Sequence, residues 1–562
     1  MVLPGPRPSA LRALAIFGLS IMSLLACGAG PLATSVEGGR PWHRVSSPHF
    51  VLSTNLGSSE ARQVVEDLER VYWVLDRVAF PHARDLEFVS EVAVFAGIDD
   101  LAPLGHRATA GLYSFDGLAL SDTAPLMILP EQTLGRRASR ELFQHELCHR
   151  FIHLRYPSAP AWLNEGLAEY FSTVELRSGW VTFGHYLSRK SITNVWGWGL
   201  SDGDVYALVP REELPTFEEL RALSYAKFYG EFTDPESDDA VKHRLLNYTA
   251  AWASVHALLT LPGGRERFAN YLARVHEGRT SEAEAFQAAF GSFGTAGLHS
   301  AFERFTNAHD TELVRQELLS QPSKVEVRTT ELSAAQAKLV IARSSATKTA
   351  EQKAHVRRLL DRAVELDPRE PEALRDRGYA RLESDDLPGA LSDLESAHRL
   401  DPASPRYMHS LILALMSARA AGENTPALRA RLLTLSEQLY RVAVTSAQLN
   451  LVSRIQLLVG ENAGAARQLA QRALRKDPTC YRCFETLALA AEQRGDWERA
   501  HAYQDRAVNL LPHDVSDPQL VERLRRYASA AEQERAAASS APQNAGDAPS
   551  EPVQAVPDQR GD

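Results

Sequence analysis

The tripeptide Leu366-Asp367-Pro368 returns as Leu400-Asp401-Pro402, 34 residues on, and Pro478 and Pro512 are separated by the same step. A shift of 110 residues lays Asp386, Ala390, Ala397 and Leu400 over Asp496, Ala500, Ala507 and Leu510. Ala466 and Ala473 stand before Asp477-Pro478 in the same register. A period of this length leaves room for one helical hairpin per unit. Small residues mark where paired helices approach closely, and proline marks where a helix has ended. Each pair can bury its apolar side only against the next pair, so the units must stack. An all-α solenoid of four or five units is therefore expected from about residue 335 to 530, its regularity lost around 403–440.

This pattern resembles the tetratricopeptide repeat, which implies a groove for a peptide or helix of an as yet unidentified partner protein. Residues 531–562, rich in Ala, Ser, Pro, Gln and Asp, are expected to be a disordered tail. At 562 residues the chain is too long for one core, and two or three domains are expected. The formal net charge of −10 comes with no block of basic residues, so no nucleic-acid partner is expected.

Arg7 and Arg12 precede an uncharged apolar run from Ala13 to Ala26. The run is shorter than the ~20 residues a membrane-spanning helix needs, and it reads as a secretory signal peptide over residues 1–26. Leu24-Leu25-Ala26-Cys27 resembles a bacterial lipobox. That resemblance implies cleavage before Cys27, lipidation of Cys27 and a membrane anchor in the bacterial cell envelope, with Gly28 favouring the outer membrane, periplasmic or surface-facing. The other cysteines are Cys148, Cys480 and Cys483, too few for a disulfide framework. Cys148 reads as core packing. Cys480-Tyr481-Arg482-Cys483 looks like half a metal site with no second half, and reads as core filler.

After a linker over 27–41, extended segments are expected around Trp42–Thr54, Val89–Phe95, Gly111–Tyr113, Leu118–Leu120 and Met127–Leu129. Helices are expected over 59–79 and from Arg137 to about Leu154. Strands followed by helices suggest an α+β domain over 42–310, then a linker over 311–334.

The chemistry sits at Gln144-His145-Glu146-Leu147-Cys148-His149. Four residues apart on a helix, His145 and His149 share one face and can offer nitrogens to one metal. Glu146 can reach a water beside that metal without being a ligand. By itself HExxH is a modest signal. Ala161-Trp162-Leu163-Asn164-Glu165-Gly166-Leu167-Ala168-Glu169-Tyr170-Phe171 strengthens it, because this stretch resembles the active-site segment of aminopeptidase N-like gluzincins. The metzincin pattern would require histidine at position 155, which is Arg155.

The resemblance implies a zincin-like fold and Zn2+ held by His145, His149 and a third ligand. Spacing favours Glu169 for that place. The local motif favours Glu165, which is preferred because a connecting loop can shorten while a ligand's helical neighbours stay. Glu169 and Asn164 would then orient the imidazoles. The short stretch Tyr156–Pro160 resembles the peptidase MA-like branch. Glu146 would act as general base, and Tyr248, in Asn247-Tyr248-Thr249, resembles the tyrosine gluzincins use to stabilise an oxyanion. His153, a further turn along, reads as a packing residue. The expected function is a zinc peptidase, more an endopeptidase than an aminopeptidase because no GxMEN segment precedes the site helix. It would hydrolyse a protein or peptide substrate that the repeats recruit. The alternative is a lipid-anchored repeat scaffold with an inactive or structural metal domain.

Overall fold

The computed structural model describes residues 32–80, 89–97, 102–104, 112–113, 127–130, 137–177, 179–184, 213–230, 238–307, 314–317, 324–345, 347, 349–511 and 517–540. Cys27, the signal segment, Gly111 and Leu118–Leu120 lie outside the described residues. Among the described residues no helix is long and apolar enough to cross a membrane.

The first half runs β1 (His43–Ser46), β2 (Phe50–Thr54), α1 (Ser58–Val74) with one wider turn over Leu75–Ala79, β3 (Ser90–Phe95), β4 (Leu112–Tyr113) and β5 (Met127–Pro130). It continues with α2 (Arg137–Arg155), α3 (Ala161–Ser172), β6 (Glu175–Arg177), β7 (Trp180–Phe183), α4 (Phe217–Ala222), α5 (Tyr225–Tyr229), α6 (Asp238–Thr260), α7 (Gly264–Glu277), α8 (Glu282–Phe290) and α9 (Gly294–Asn307). Strands β8 (Val314–Glu317) and β9 (Arg328–Glu331) follow.

Six strands form one sheet in the order β4-β5-β3-β2-β1-β9, with β3 parallel to both β2 and β5. Strand β3 is buried on both faces, as an inner parallel strand should be. Val92 and Val94 join a core with Val65 and Leu68 of α1 and Leu147 and Phe151 of α2. Ala93 and Phe95 face the other way, towards Trp42 and towards Ala337, Val340 and Ile341. The turn between β1 and β2 is held by Glu69 of α1, which accepts from Ser47 Oγ at 2.6 Å, His49 N at 2.8 Å and His49 Nδ1 at 2.7 Å.

The second half is a stack of helical hairpins of the tetratricopeptide type. α10 (Ala334–Arg343) pairs with α11 (Ala350–Leu366), and α12 (Pro371–Leu382) with α13 (Leu387–Leu400). Then come α14 (Pro405–Ala420) with α15 (Pro426–Val442), α16 (Ser446–Leu458) with α17 (Ala463–Lys476), and α18 (Tyr481–Glu492) with α19 (Trp497–Asn509). A closing helix, α20 (Pro518–Ser540), covers the end. The small residues do what the period requires: Ala373, Ala390, Ala397, Ala466, Ala473, Ala500 and Ala507 are all fully buried. The stretch where the repeat fades holds the longest hairpin, with helices of 16 and 17 residues. This lengthening throws the following units out of step.

The structure corrects three expectations about boundaries. Residues 311–334 are not a plain linker: β9 pairs with β1, β8 pairs with β7, and α10 covers the sheet. Within 27–41, Thr34 is buried and Glu37 pairs with Lys338 Nζ at 2.7 Å, so the described part, 32–41, is docked on α10. The expected tail is helical to Ser540, with Tyr527 buried against α18 and α19 and Ala531 buried too, while residues 541–562 lie outside the described residues. Cys480 and Cys483, expected as filler, are joined in a disulfide, with Cys483 buried at a small-residue position.

The array touches the first half at both ends. Beyond α10, its far end returns to the first half: Thr479 Oγ1 lies 3.5 Å from Leu154 O of α2, and Arg506 Nη2 donates to Glu277 O at the end of α7 at 2.7 Å.

Candidate metal centre

His145 and His149 lie one turn apart on α2. The chain then reverses within a few residues: Tyr156 N donates to Ile152 O and Ala159 N to Tyr156 O, and Pro160, extended, opens α3. Proline is suited to this point because its ring fixes φ and it has no N–H of its own to satisfy. The reversal lays α3 along α2 and brings Glu165 to the histidine pair.

His145 Nε2 and His149 Nε2 are 2.9 Å apart, and Glu165 Oε2 lies 3.2 Å from the first and 3.5 Å from the second. Tetrahedral ligands ~2.0–2.1 Å from zinc lie about 3.3 Å from one another, so these spacings suit one ion. Glu165 is buried, and its Oε2 faces the two imidazole nitrogens. A carboxylate oxygen is expensive to bury in a dry interior unless a cation, a metal ion or an imidazolium, meets it. Among the described residues this is the one group of three whose donor atoms converge. The donor set of two imidazoles and one carboxylate fits zinc with a position left open.

The far sides of the rings are also held. His149 Nδ1 donates to Asn164 Oδ1 at 3.0 Å, which leaves the Nε2 lone pair directed at the centre. Glu169 Oε1 lies 3.5 Å from His145 Nδ1. Glu169 therefore faces the back of a ring, while Glu165 faces the front. Tyr229 of α5 donates its hydroxyl to Glu165 Oε1. Tyr229 was not expected from the sequence. Its only local signal is the aromatic run ahead of Gly230, which has φ of 85° and ends α5.

The electrostatics follow from the carboxylates. Burial opposes charge on His145, but Glu169, Glu165 and Glu146 outweigh it and push its pKa up to about 10. Burial also opposes charge on His149, and Glu165 outweighs it to raise the pKa. Burial would raise Glu165, but the two histidines hold it far below the ordinary carboxylate range. Glu169, buried and beside other carboxylates, is pushed up to about 7. Glu146 is buried, and its charge is felt by both histidines.

Tyr248 is buried on α6, its ring edge-on to His145 with centroids 6.4 Å apart. Helix α6 comes this close because Gly166 has no side chain: a Cβ there would meet Ala251 O at 2.5 Å and Val255 Cγ2 at 2.8 Å. His153 is not part of the converging group, and burial lowers its pKa to about 3. Cys148 is a free, fully buried thiol in the core.

No family model matches the chain, and no curated protein matches it. Solved structures similar to it include a thermophilic TPR protein from Thermus thermophilus, 20% identical, covering 32% of this chain and 92% of that one at a TM-score of 0.28. PilW, a type IV pilus biogenesis factor, is 14% identical, with 37% and 90% covered and a TM-score of 0.32. YrrB, a TPR protein with an unusual peptide-binding site, is 14% identical, with 34% and 92% covered and a TM-score of 0.26. The repeat assignment rests on the stacked hairpins themselves.

Proposed function

We propose that the chain is a zinc-dependent peptidase whose repeats present or recruit its protein substrate. The observation that carries this reading is the convergence of His145 Nε2 and His149 Nε2 of α2 with Glu165 Oε2 of α3, beside Glu146 of α2. Zinc bound there would supply Lewis acidity to water and to a substrate carbonyl. Glu146 takes the proton from the attacking water and delivers it to the leaving amine. The Tyr248 hydroxyl donates to the oxygen on which charge develops. Asn164 and Glu169 hold the imidazoles so that Nε2 of each stays directed inward. Zinc analysis and peptide hydrolysis by the full chain test the reading together. One zinc per chain is expected, with hydrolysis lost to a chelator and restored by zinc. A chain that takes up no zinc would refute it.

A second reading has its own support in the five stacked hairpins, an architecture suited to holding peptides or helices. On this reading the array is a protein-interaction scaffold and the metal domain braces it. A partner bound equally well by wild-type chain and by the zinc-free His149→Ala chain, with no hydrolysis by either, would favour it. The lipid anchor at Cys27 and a bacterial envelope location remain part of the proposal for either reading. Mass analysis of the mature N-terminus is the test, and an unprocessed or unacylated chain would remove the anchor.

A further inference from the structure

The two oxygens of Glu165 have different surroundings. Oε2 faces the two imidazole nitrogens at 3.2 and 3.5 Å, while Oε1 accepts the hydroxyl of Tyr229. Resting on the metal reading above, we infer that Tyr229 is a positioning residue that restricts Glu165 to one metal-binding oxygen and so keeps the remaining coordination position open.

A carboxylate can bind a metal through one oxygen or two. A phenol that donates to Oε1 competes with a metal for that oxygen, and it holds the carboxylate so that Oε2 faces inward. A catalytic zinc site needs that restriction, since it must keep a place for water or substrate beside its three protein ligands. Partners outside the ligand shell commonly set ligand orientation in this way.

The phenol is itself well placed to hold. Helix α5 is short, and α6 clips it in position: Asn247 Nδ2 donates to Phe228 O at 2.7 Å and His243 Nε2 donates to Lys227 O at 2.9 Å. The Tyr229 ring packs on Tyr225, with centroids 4.5 Å apart, and edge-on to Tyr248 at 6.3 Å. Gly230, in the left-handed region, turns the chain away immediately afterwards. Helix α6 therefore sets two tyrosines with distinct tasks, Tyr248 in front of His145 and Tyr229 behind the carboxylate.

The test is zinc competition against a chromogenic chelator, using the full chain, its Tyr229→Phe variant and a Tyr527→Phe control. Tyr527 also donates to a carboxylate, Glu492, but within the repeat array. Tyr229→Phe is expected to weaken zinc binding about 10–100-fold, and Tyr527→Phe to leave it unchanged. In the cobalt-substituted chain, Tyr229→Phe should weaken visible absorption, because a second Glu165–metal bond raises the coordination number. Asn247→Asp, which removes the clip to α5 without touching Glu165, should shift affinity and spectrum in the same direction, and it carries the test alone if Tyr229→Phe does not fold. Wild-type zinc affinity and an unaltered cobalt spectrum in the variants, with one ion bound by wild type, would overturn the inference and leave the metal reading standing. No ion bound by wild type would overturn both.

Discussion

Replacing Gly166 by alanine sets two effects against each other. Alanine is the better helix former, and in mid-helix the exchange stabilises by about 1 kcal/mol when nothing is in the way. At Gly166 the new methyl would sit 2.5 Å from Ala251 O and 2.8 Å from Val255 Cγ2. The first of these is backbone and cannot rotate aside. Restoring an ordinary contact of about 3.4 Å requires α3 and α6 to part by about 0.9 Å. Forced separation of packed elements costs about 1–3 kcal/mol, against about 1 kcal/mol gained in propensity, so a net loss of up to about 2 kcal/mol is expected. The same movement carries Glu165, the neighbouring residue, away from two histidines whose spacing to a metal tolerates only about 0.2 Å. Zinc affinity should fall by about tenfold or more. Urea unfolding of the zinc-free chain gives the first quantity, and chelator competition gives the second. A Gly166→Ala chain that is more stable than wild type by about 1 kcal/mol and binds zinc equally well would refute the close approach of these helices.

Further outcomes follow from other parts of the structure. In the absence of metal the His145 pKa lies at about 10, so at neutral pH zinc must displace its proton. Calorimetry in buffers of different ionisation enthalpy should show about one proton or more released per zinc, with affinity rising as pH rises towards 10; no proton release would contradict this charge assignment. Glu69→Ala removes three hydrogen bonds to a buried carboxylate and should cost about 3 kcal/mol in chemical unfolding. Burial opposes the Glu69 charge, but the His49 and Ser47 hydrogen bonds outweigh it and depress the pKa. That stabilisation is therefore present above the ordinary value near 4.5 and lost as pH falls through the depressed one, and a wild-type/variant difference that persists in strong acid would exclude it. In the array, Asp376 is fully buried and accepts from Arg343 Nε at 2.6 Å. Asp376→Ala leaves a buried guanidinium short of its partner and should cost about 3–5 kcal/mol, read as earlier unfolding in denaturant. A loss under ~1 kcal/mol would mean the pair is not buried as described.

What could be read in advance was what depends on short-range period. His145 and His149 are one helical turn apart in any helix, and the Ala and Pro positions of the repeats recur because each hairpin meets the same neighbour. The choice between Glu165 and Glu169 was harder, since these residues are themselves a turn apart on α3 and share a face. Only the length of the Tyr156–Pro160 reversal decides which of them reaches the front of the imidazoles. Tyr229 lay beyond reach, because it meets Glu165 from 64 positions away on a five-residue helix. Strands β8 and β9 were concealed in an apparent linker for a physical reason. Each has a mostly exposed, polar sequence, VRQE and RTTE, so the alternation that marks a half-buried strand is missing. The disulfide between Cys480 and Cys483 escaped because a lone pair of cysteines three apart is equally consistent with packing, metal binding or bonding.

The most direct test of the central proposal is cleavage of a mixed peptide library by the full chain, beside Glu146→Gln brought to equal zinc content. The account expects cleavage by wild type and a loss of about 10²–10⁴-fold in the variant, with zinc retained in both. Equal cleavage by the two proteins would remove Glu146 from the chemistry. No cleavage by either, with zinc bound in both, would contradict the peptidase reading and leave the repeat array as the part of the molecule that acts.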